Sequence, residues 1–235
     1  MLLHIPHSSS IFPIGFGQKL PIDEVCLHTD WFTDELFSGH VRFVYPYSRF
    51  FCDVERLVND PLEAEGRGIA YTKLMDGTIY RSLTAEEVVT FNRLHDEWHR
   101  AMKREAEKQS SMLDNVVVVD CHSFNATQVN LQEDELPDVC IGFNDDQSKL
   151  PTPILGRLIE IFSAAGYSVS LNRPYGNAIV VSVLPNIYSV MVEVNKRVYL
   201  TDRWEKSDGF QKIKSTIDAA LKFLIDFEVG IISVR

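Results

Sequence analysis

Apolar and polar positions along the chain alternate between two periods. MLLHIPH begins a strand at the first residues, and His7 stands where that strand would end. HVRFVYPYSRF reads as a second strand, ending near Pro46. Val116 to Val119 form an unbroken apolar run into Asp120, Cys121 and His122, the pattern of a strand buried on both faces. PDVCIGF, YSVSLN, NAIVVSVL and YSVMVEVNKR read as further strands. Between them the period lengthens towards 3.6. HTDWFTDELF (28–37) reads as a short helix, with Pro13 and Pro21 breaking the chain into loop before it. Thr84 followed by Glu87 is a capping box that opens a helix to about Gln109, with Val88, Phe91, Leu94, His95, Trp98 and Met102 on its apolar stripe. PTPILGRLIEIFSAAG is a helix stopped by Gly166, and a last helix spans 202–227. The stretch 48–80 has no period and is rich in arginine, glycine and aromatics, as binding loops often are. The alternation predicts one α/β domain over 1–235, with a mixed, mostly parallel sheet and helices on both faces.

Composition narrows the function classes. The chain has 235 residues, 45% apolar and 24% charged, the balance of a soluble globular protein. A net charge of −10 argues against a nucleic-acid partner, which requires a basic face. It leaves room for a small anionic ligand held by a local arginine cluster. The four cysteines form no CxxC pair and read as reduced thiols. No stretch has the length of a membrane span, and the N-terminus lacks a signal-peptide pattern, so a cytoplasmic protein is expected.

Candidate chemistry sits at strand ends, where open α/β sheets place their sites. The first strand ends in HIPHSS and the long valine strand in DCHS. Glu193 lies inside the late apolar strand, where a carboxylate is costly unless paired or used. Asp30 lies at a loop-to-helix start. Two histidines and one carboxylate leave an open position on zinc, the mark of a catalytic rather than a structural site. His7, Asp30 and His122 as ligands, with Glu193 as the base, supply that set. Other assignments stay open. Asp120 shares a strand face with His122 and serves either as acceptor for a histidine N–H or as ligand in place of Asp30. His28 and Asp34 are further alternatives, and Asp30 also suits a helix N-cap. Glu193 could pair with Lys196 or Arg197. His95 and His99 in HDEWH share a helix face, but a zincin motif needs glutamate directly after the first histidine, and Asp96 stands there. That pair reads as helix packing and surface. A thiol enzyme built on Cys121 and His122 is disfavoured because adjacent strand residues point to opposite faces.

IPHSS, TDWFTDELF, SRFFCDVER, DCHS, NRPYGNA and VEVNKRVYL, in this order, resemble the N-formylglutamate amidohydrolase family over most of the chain. The resemblance implies a carboxypeptidase-like three-layer α/β/α sandwich and one zinc per chain. It implies hydrolysis of N-formyl-L-glutamate, a product of histidine breakdown, to formate and the free amino acid. A dianionic substrate calls for arginines. Candidates are Arg49, Arg56, Arg173 and Arg197, with Asn172 beside Arg173 and Arg56 also placed to stabilise the oxyanion. The DVER segment resembles a DLNR-type motif, with Glu55 where asparagine is expected. The expected partner is a small anionic N-acyl amino acid, and the expected state is a monomer or small homo-oligomer. The rival readings are a zinc deacylase or carboxypeptidase-like hydrolase of another N-acyl amino acid or peptide, and a non-catalytic binding protein on the same fold.

Overall fold

The computed structural model describes residues 1–16, 20–39, 41–58, 60–129, 132 and 135–232. Six strands form one sheet in the order β2-β1-β3-β6-β4-β5. They are β1 (Leu2–Ile5), β2 (Val41–Val44), β3 (Val116–Phe124), β4 (Val139–Gly142), β5 (Val169–Leu171) and β6 (Ile187–Asn195). Pairing is parallel throughout, except that β4 runs antiparallel to β6. The first residue of the expected second strand, His40, lies outside the described residues.

Strand alternation sorts the core into two layers. Val117, Val119 and Cys121 of β3 and Val190, Val192 and Val194 of β6 point to the face covered by α5 (Thr152–Ala164) and α6 (Gly209–Glu228). Val116 and Val118 of β3, Leu2 of β1 and Ile187 of β6 point to the other face, covered by α3 (Ala85–Ser110). The result is a three-layer α/β/α sandwich, as expected. By the same alternation His4, Asp120, His122 and Glu193 belong to the α3 side. The capping box of Thr84 and Glu87 opens α3 as the sequence predicts. Gly166, at φ +90°, ends the turn after α5. Among the described residues no helix is long and apolar enough to cross a membrane.

Three expectations are corrected. The helix expected over 28–37 is two pieces: α1 (Ile22–His28), which Pro21 precedes, and the four-residue α2 (Thr33–Leu36). Thr29 turns extended between them, and the Asp30 N–H donates to the His7 carbonyl at 2.9 Å. That bond ties the break to the end of β1. NAIVVSVL is not a strand. The Ile179 N–H donates to the Asp120 carboxylate at 3.1 Å, and the carbonyls of Ala178 and Val183 accept from Asn144 and Gln147 side chains. Side chains thus satisfy backbone groups that a neighbouring strand would otherwise serve. The last helix starts at Gly209, later than the periodicity suggests, because 202–208 are taken up by a turn and the bridge between Leu200 and Lys206.

Candidate active site

The site lies at the carboxyl ends of β1, β3 and β6, at the middle of the sheet. The register pairs His4 of β1 with Asp120 of β3, and His122 of β3 with Glu193 of β6. His7 follows β1 by two residues, and its ring lies 5.2 Å from that of His122. The aperiodic stretch after β2 folds back over these strand ends. It is anchored by small apolar clusters, Tyr45, Cys52, Val54 and Ile69 against Phe91, and Phe50, Tyr71 and Leu74 against Val25. The resulting cavity of about 370 Å³ is lined by His7, Asp30, Arg49, Glu55, Arg56, His122 and Glu193, among others. The structure therefore brings together all the expected ligands, the expected base and two of the four expected arginines.

Arg173 and Arg197 lie elsewhere, in a separate concavity with Leu136 and Ser168. Arg197 donates to the Leu136 carbonyl and to Asp138. Asn172 accepts from the Phe143 N–H beside β5, at the sheet edge. None of the three lines the cavity. The segment after β5 does reach the cavity, but through Tyr175 and Gly176.

Both histidines are held by carboxylates on one edge of the ring. His7 Nε2 is 2.8 Å from Asp53 Oδ1, and His122 Nε2 is 2.8 Å from Asp120 Oδ1. Asp120 Oδ1 also meets His4 Nδ1 at 2.8 Å, and the Trp98 N–H donates to His4 Nε2 at 3.1 Å. His4, expected in the core, thus belongs to the chain that orients His122. On the opposite ring edges, Asp30 Oδ2 is 3.3 Å from His122 Nδ1 and 3.7 Å from His7 Nδ1. His7 Nδ1 itself makes no hydrogen bond. Glu55 approaches the Nε2 edges, at 3.6 Å from His7 and 3.1 Å from His122. His7, Glu55 and His122 bring one ligand atom each within 4.8 Å of one another, a group that could hold a metal ion.

Electrostatics follow from this crowding of acids. Burial would raise the Asp53 carboxyl, but His7, Arg49 and Arg56 hold it well below the usual range. Asp30 and Asp120 are likewise lowered against their burial, by hydrogen bonds and charge from His122 with His7 or His4. Burial would lower His122, yet Glu55 and Asp120 push it well above the ordinary histidine value. Burial pushes Glu193 up to about 8; His122 opposes the shift, while Asp30, Glu55 and Asp120 add to it. Glu193 Oε2 is buried without a hydrogen-bond partner. Lys196, buried and donating to the Leu27 carbonyl at 2.8 Å, is lowered to about 8 by desolvation.

A buried carboxylate oxygen and an imidazole nitrogen, both without a hydrogen-bond partner, suit a bound dication. The donor set of imidazole nitrogen and carboxylate oxygen is that of zinc and similar metals.

The family model for N-formylglutamate amidohydrolases matches residues 1–200. The chain belongs to this family. The crystal structure of an N-formylglutamate amidohydrolase from Ralstonia eutropha JMP134 is similar, with a TM-score of 0.85 and 19% identity over 98% of this chain and 94% of that one. The gene product Atu2144 of Agrobacterium tumefaciens is also similar, with a TM-score of 0.65 and 20% identity over 95% of this chain and 91% of that one. A search of curated proteins finds no significant match. Family membership makes the chain an amidohydrolase, and the likeness to the solved structures is one of fold.

Several site residues carried no clear signal in the sequence. Asp53 looked like part of a motif rather than the orienter of His7, and Glu55 like a departure from a pattern. Arg67, Tyr71 and Tyr175 of the cavity wall come from segments without periodicity. Among these, only the DVER resemblance could have flagged a role.

Proposed function

We propose that the protein is a zinc-dependent amidohydrolase that removes the formyl group from an acidic N-formyl amino acid such as N-formyl-L-glutamate, giving formate and the free amino acid. One observation carries the reading. In a chain of this family, two carboxylate-held histidines, a desolvated glutamate and an arginine-lined wall meet in one cavity. The metal would be held by His7 and His122 through Nδ1 and by Asp30. Both Nε2 edges already face a carboxylate at 2.8 Å, the arrangement that orients a metal-binding imidazole. Glu55 remains as an added carboxylate on the far side of the rings. Bound zinc supplies a Lewis acid that polarises the formyl oxygen and makes water acidic near neutral pH.

The protein's own groups do the rest. Glu193, facing the histidines with an unpartnered oxygen, takes a proton from the attacking water and returns it to the departing amide nitrogen. Its raised affinity for protons, about 8, suits the second step, and a neighbouring cation would lower it for the first. Arg56, held by Asp53 at 3.4 Å and by the Tyr71 hydroxyl at 2.7 Å, presents positive charge to the oxygen of the tetrahedral species. Arg49, held by Asp53 at 3.1 Å, and Arg67 further along the wall are suited to the substrate carboxylates. Asn172, Arg173 and Arg197 take no part in this reading.

A panel of formyl, acetyl and succinyl derivatives of glutamate, aspartate and leucine tests it by release of free amino acid. Highest kcat/KM for a formyl acidic amino acid is the expected outcome. Preference for acetyl or succinyl substrates would move the assignment to a deacylase of another N-acyl amino acid. No hydrolysis of any member by zinc-loaded protein would favour a binding role.

A further inference from the structure

HDEWH matches no metal motif, and its histidines take no part in the chemistry above. They nevertheless point at the site. His95 Nε2 lies 2.6 Å from the Arg56 carbonyl, and His99 Nε2 lies 2.7 Å from the Val54 carbonyl. A carbonyl only accepts, so both rings carry their proton on Nε2 and donate it. The two acceptors flank Glu55 on either side. The rings lie side by side with centroids 4.2 Å apart, as positions i and i+4 on one helix face allow. Trp98, on the same turn, donates to His4 and so feeds the His4–Asp120–His122 chain.

Glu55 and Arg56 sit on a stretch with no strand or helix of its own. What fixes their backbone comes from side chains: the Glu55 N–H donates to Asp53 at 3.2 Å, and the two imidazoles hold the carbonyls before and after Glu55. His95 is buried, so a lost bond there would strand a carbonyl without water to replace the donor.

We infer that His95 and His99 are positioning residues: a two-imidazole clamp on α3 that fixes the Val54–Arg56 backbone and so aims Glu55 and Arg56 into the cavity. The catalytic part of this inference rests on the proposed hydrolase reading; the structural part does not. It explains why a helix stripe otherwise made of apolar side chains carries two histidines towards a loop.

The test uses zinc-loaded full-length protein with His95→Leu, His99→Leu, His95→Gln and His99→Gln. Leucine removes the donor, whereas glutamine keeps an N–H at a similar reach. Three quantities are read: kcat and KM on the best substrate of the panel above, zinc affinity by chelator competition, and amide hydrogen exchange over 52–58. The leucine variants should lose roughly tenfold or more in kcat, because a loosened backbone displaces Arg56 from the reacting oxygen, while zinc affinity stays at the wild-type level. KM should change little and exchange over 52–58 should rise, with glutamine restoring these properties. Leucine variants with a lower melting temperature but wild-type kcat and exchange would overturn the clamp, reducing both residues to packing. Glutamine variants that fold and load zinc normally but stay as impaired as leucine would also overturn it. If wild type hydrolyses no substrate, the hydrolase reading fails, and exchange over 52–58 still decides the clamp.

Discussion

Glu193→Gln should make the metal-free protein more stable while stopping turnover. Burial holds the Glu193 carboxyl protonated up to about 8, whereas it loses its proton near 4.5 when the chain unfolds. Between these values the native state binds one more proton than the unfolded state, so wild-type stability falls as pH rises, by about 1.4 kcal/mol per pH unit. At pH 7 the accumulated cost is roughly 3 kcal/mol. Glutamine cannot ionise and escapes it. Its amide needs partners in a site where Oε2 has none, which takes back about 1 kcal/mol. The net gain is about 2 kcal/mol at pH 7, near zero or slightly negative at pH 4.5, and level above pH 8. Urea unfolding of chelator-treated wild type and variant across that range measures it. Adding zinc should shrink the difference, because a nearby dication favours the carboxylate. Turnover should fall by about 10²-fold or more, as the proton carrier is gone. A variant less stable than wild type at pH 7.5, or a difference flat with pH, would show that Glu193 is not held protonated and would remove the basis for its role.

Asp53→Asn should destabilise the protein by about 3 kcal/mol and weaken zinc binding at least tenfold, since it strips the buried counter-charge from Arg49 and Arg56 and the orienting acceptor from His7. The wild-type carboxyl is depressed, so its contribution is complete above the unfolded value of 3.8 and is lost as pH falls through the lower folded value; the gap between variant and wild type in urea unfolding should close on strong acidification. Arg67→Ala should raise KM for an acidic N-formyl amino acid with kcat nearly unchanged, read by steady-state kinetics; an unchanged KM would remove Arg67 from the substrate-binding set.

The sequence located the two central strands and their reactive ends because their signals are local. Val116–Val119 running into Asp120 and His122, and Glu193 within an apolar run, announce themselves without knowledge of the fold. Strand alternation also correctly separated Cys121 from His122. Residues whose role depends on distant partners were harder to read. Asp53 orients His7 across 46 positions, and His4 reaches Asp120 across 116. Arg173 and Arg197 were plausible from their motifs, but β4 runs antiparallel between β6 and β5, and both side chains end in a concavity away from the cavity. NAIVVSVL has the composition of a strand, yet its backbone groups are taken by Asp120, Asn144 and Gln147 side chains, which composition cannot foresee. HDEWH looked like helix packing because its acceptors, two carbonyls of an aperiodic stretch, leave no trace in a sequence pattern.

The most direct test of the account is the zinc content of purified wild type, His122→Ala, Asp30→Asn and Glu55→Gln by elemental analysis after zinc is offered and excess removed. About one zinc per chain in wild type and Glu55→Gln, lost in His122→Ala and Asp30→Asn, is the predicted result. Retention by Asp30→Asn with loss in Glu55→Gln would move the metal to the Nε2 edges of the histidines. No zinc in wild type would contradict the metal-dependent mechanism outright.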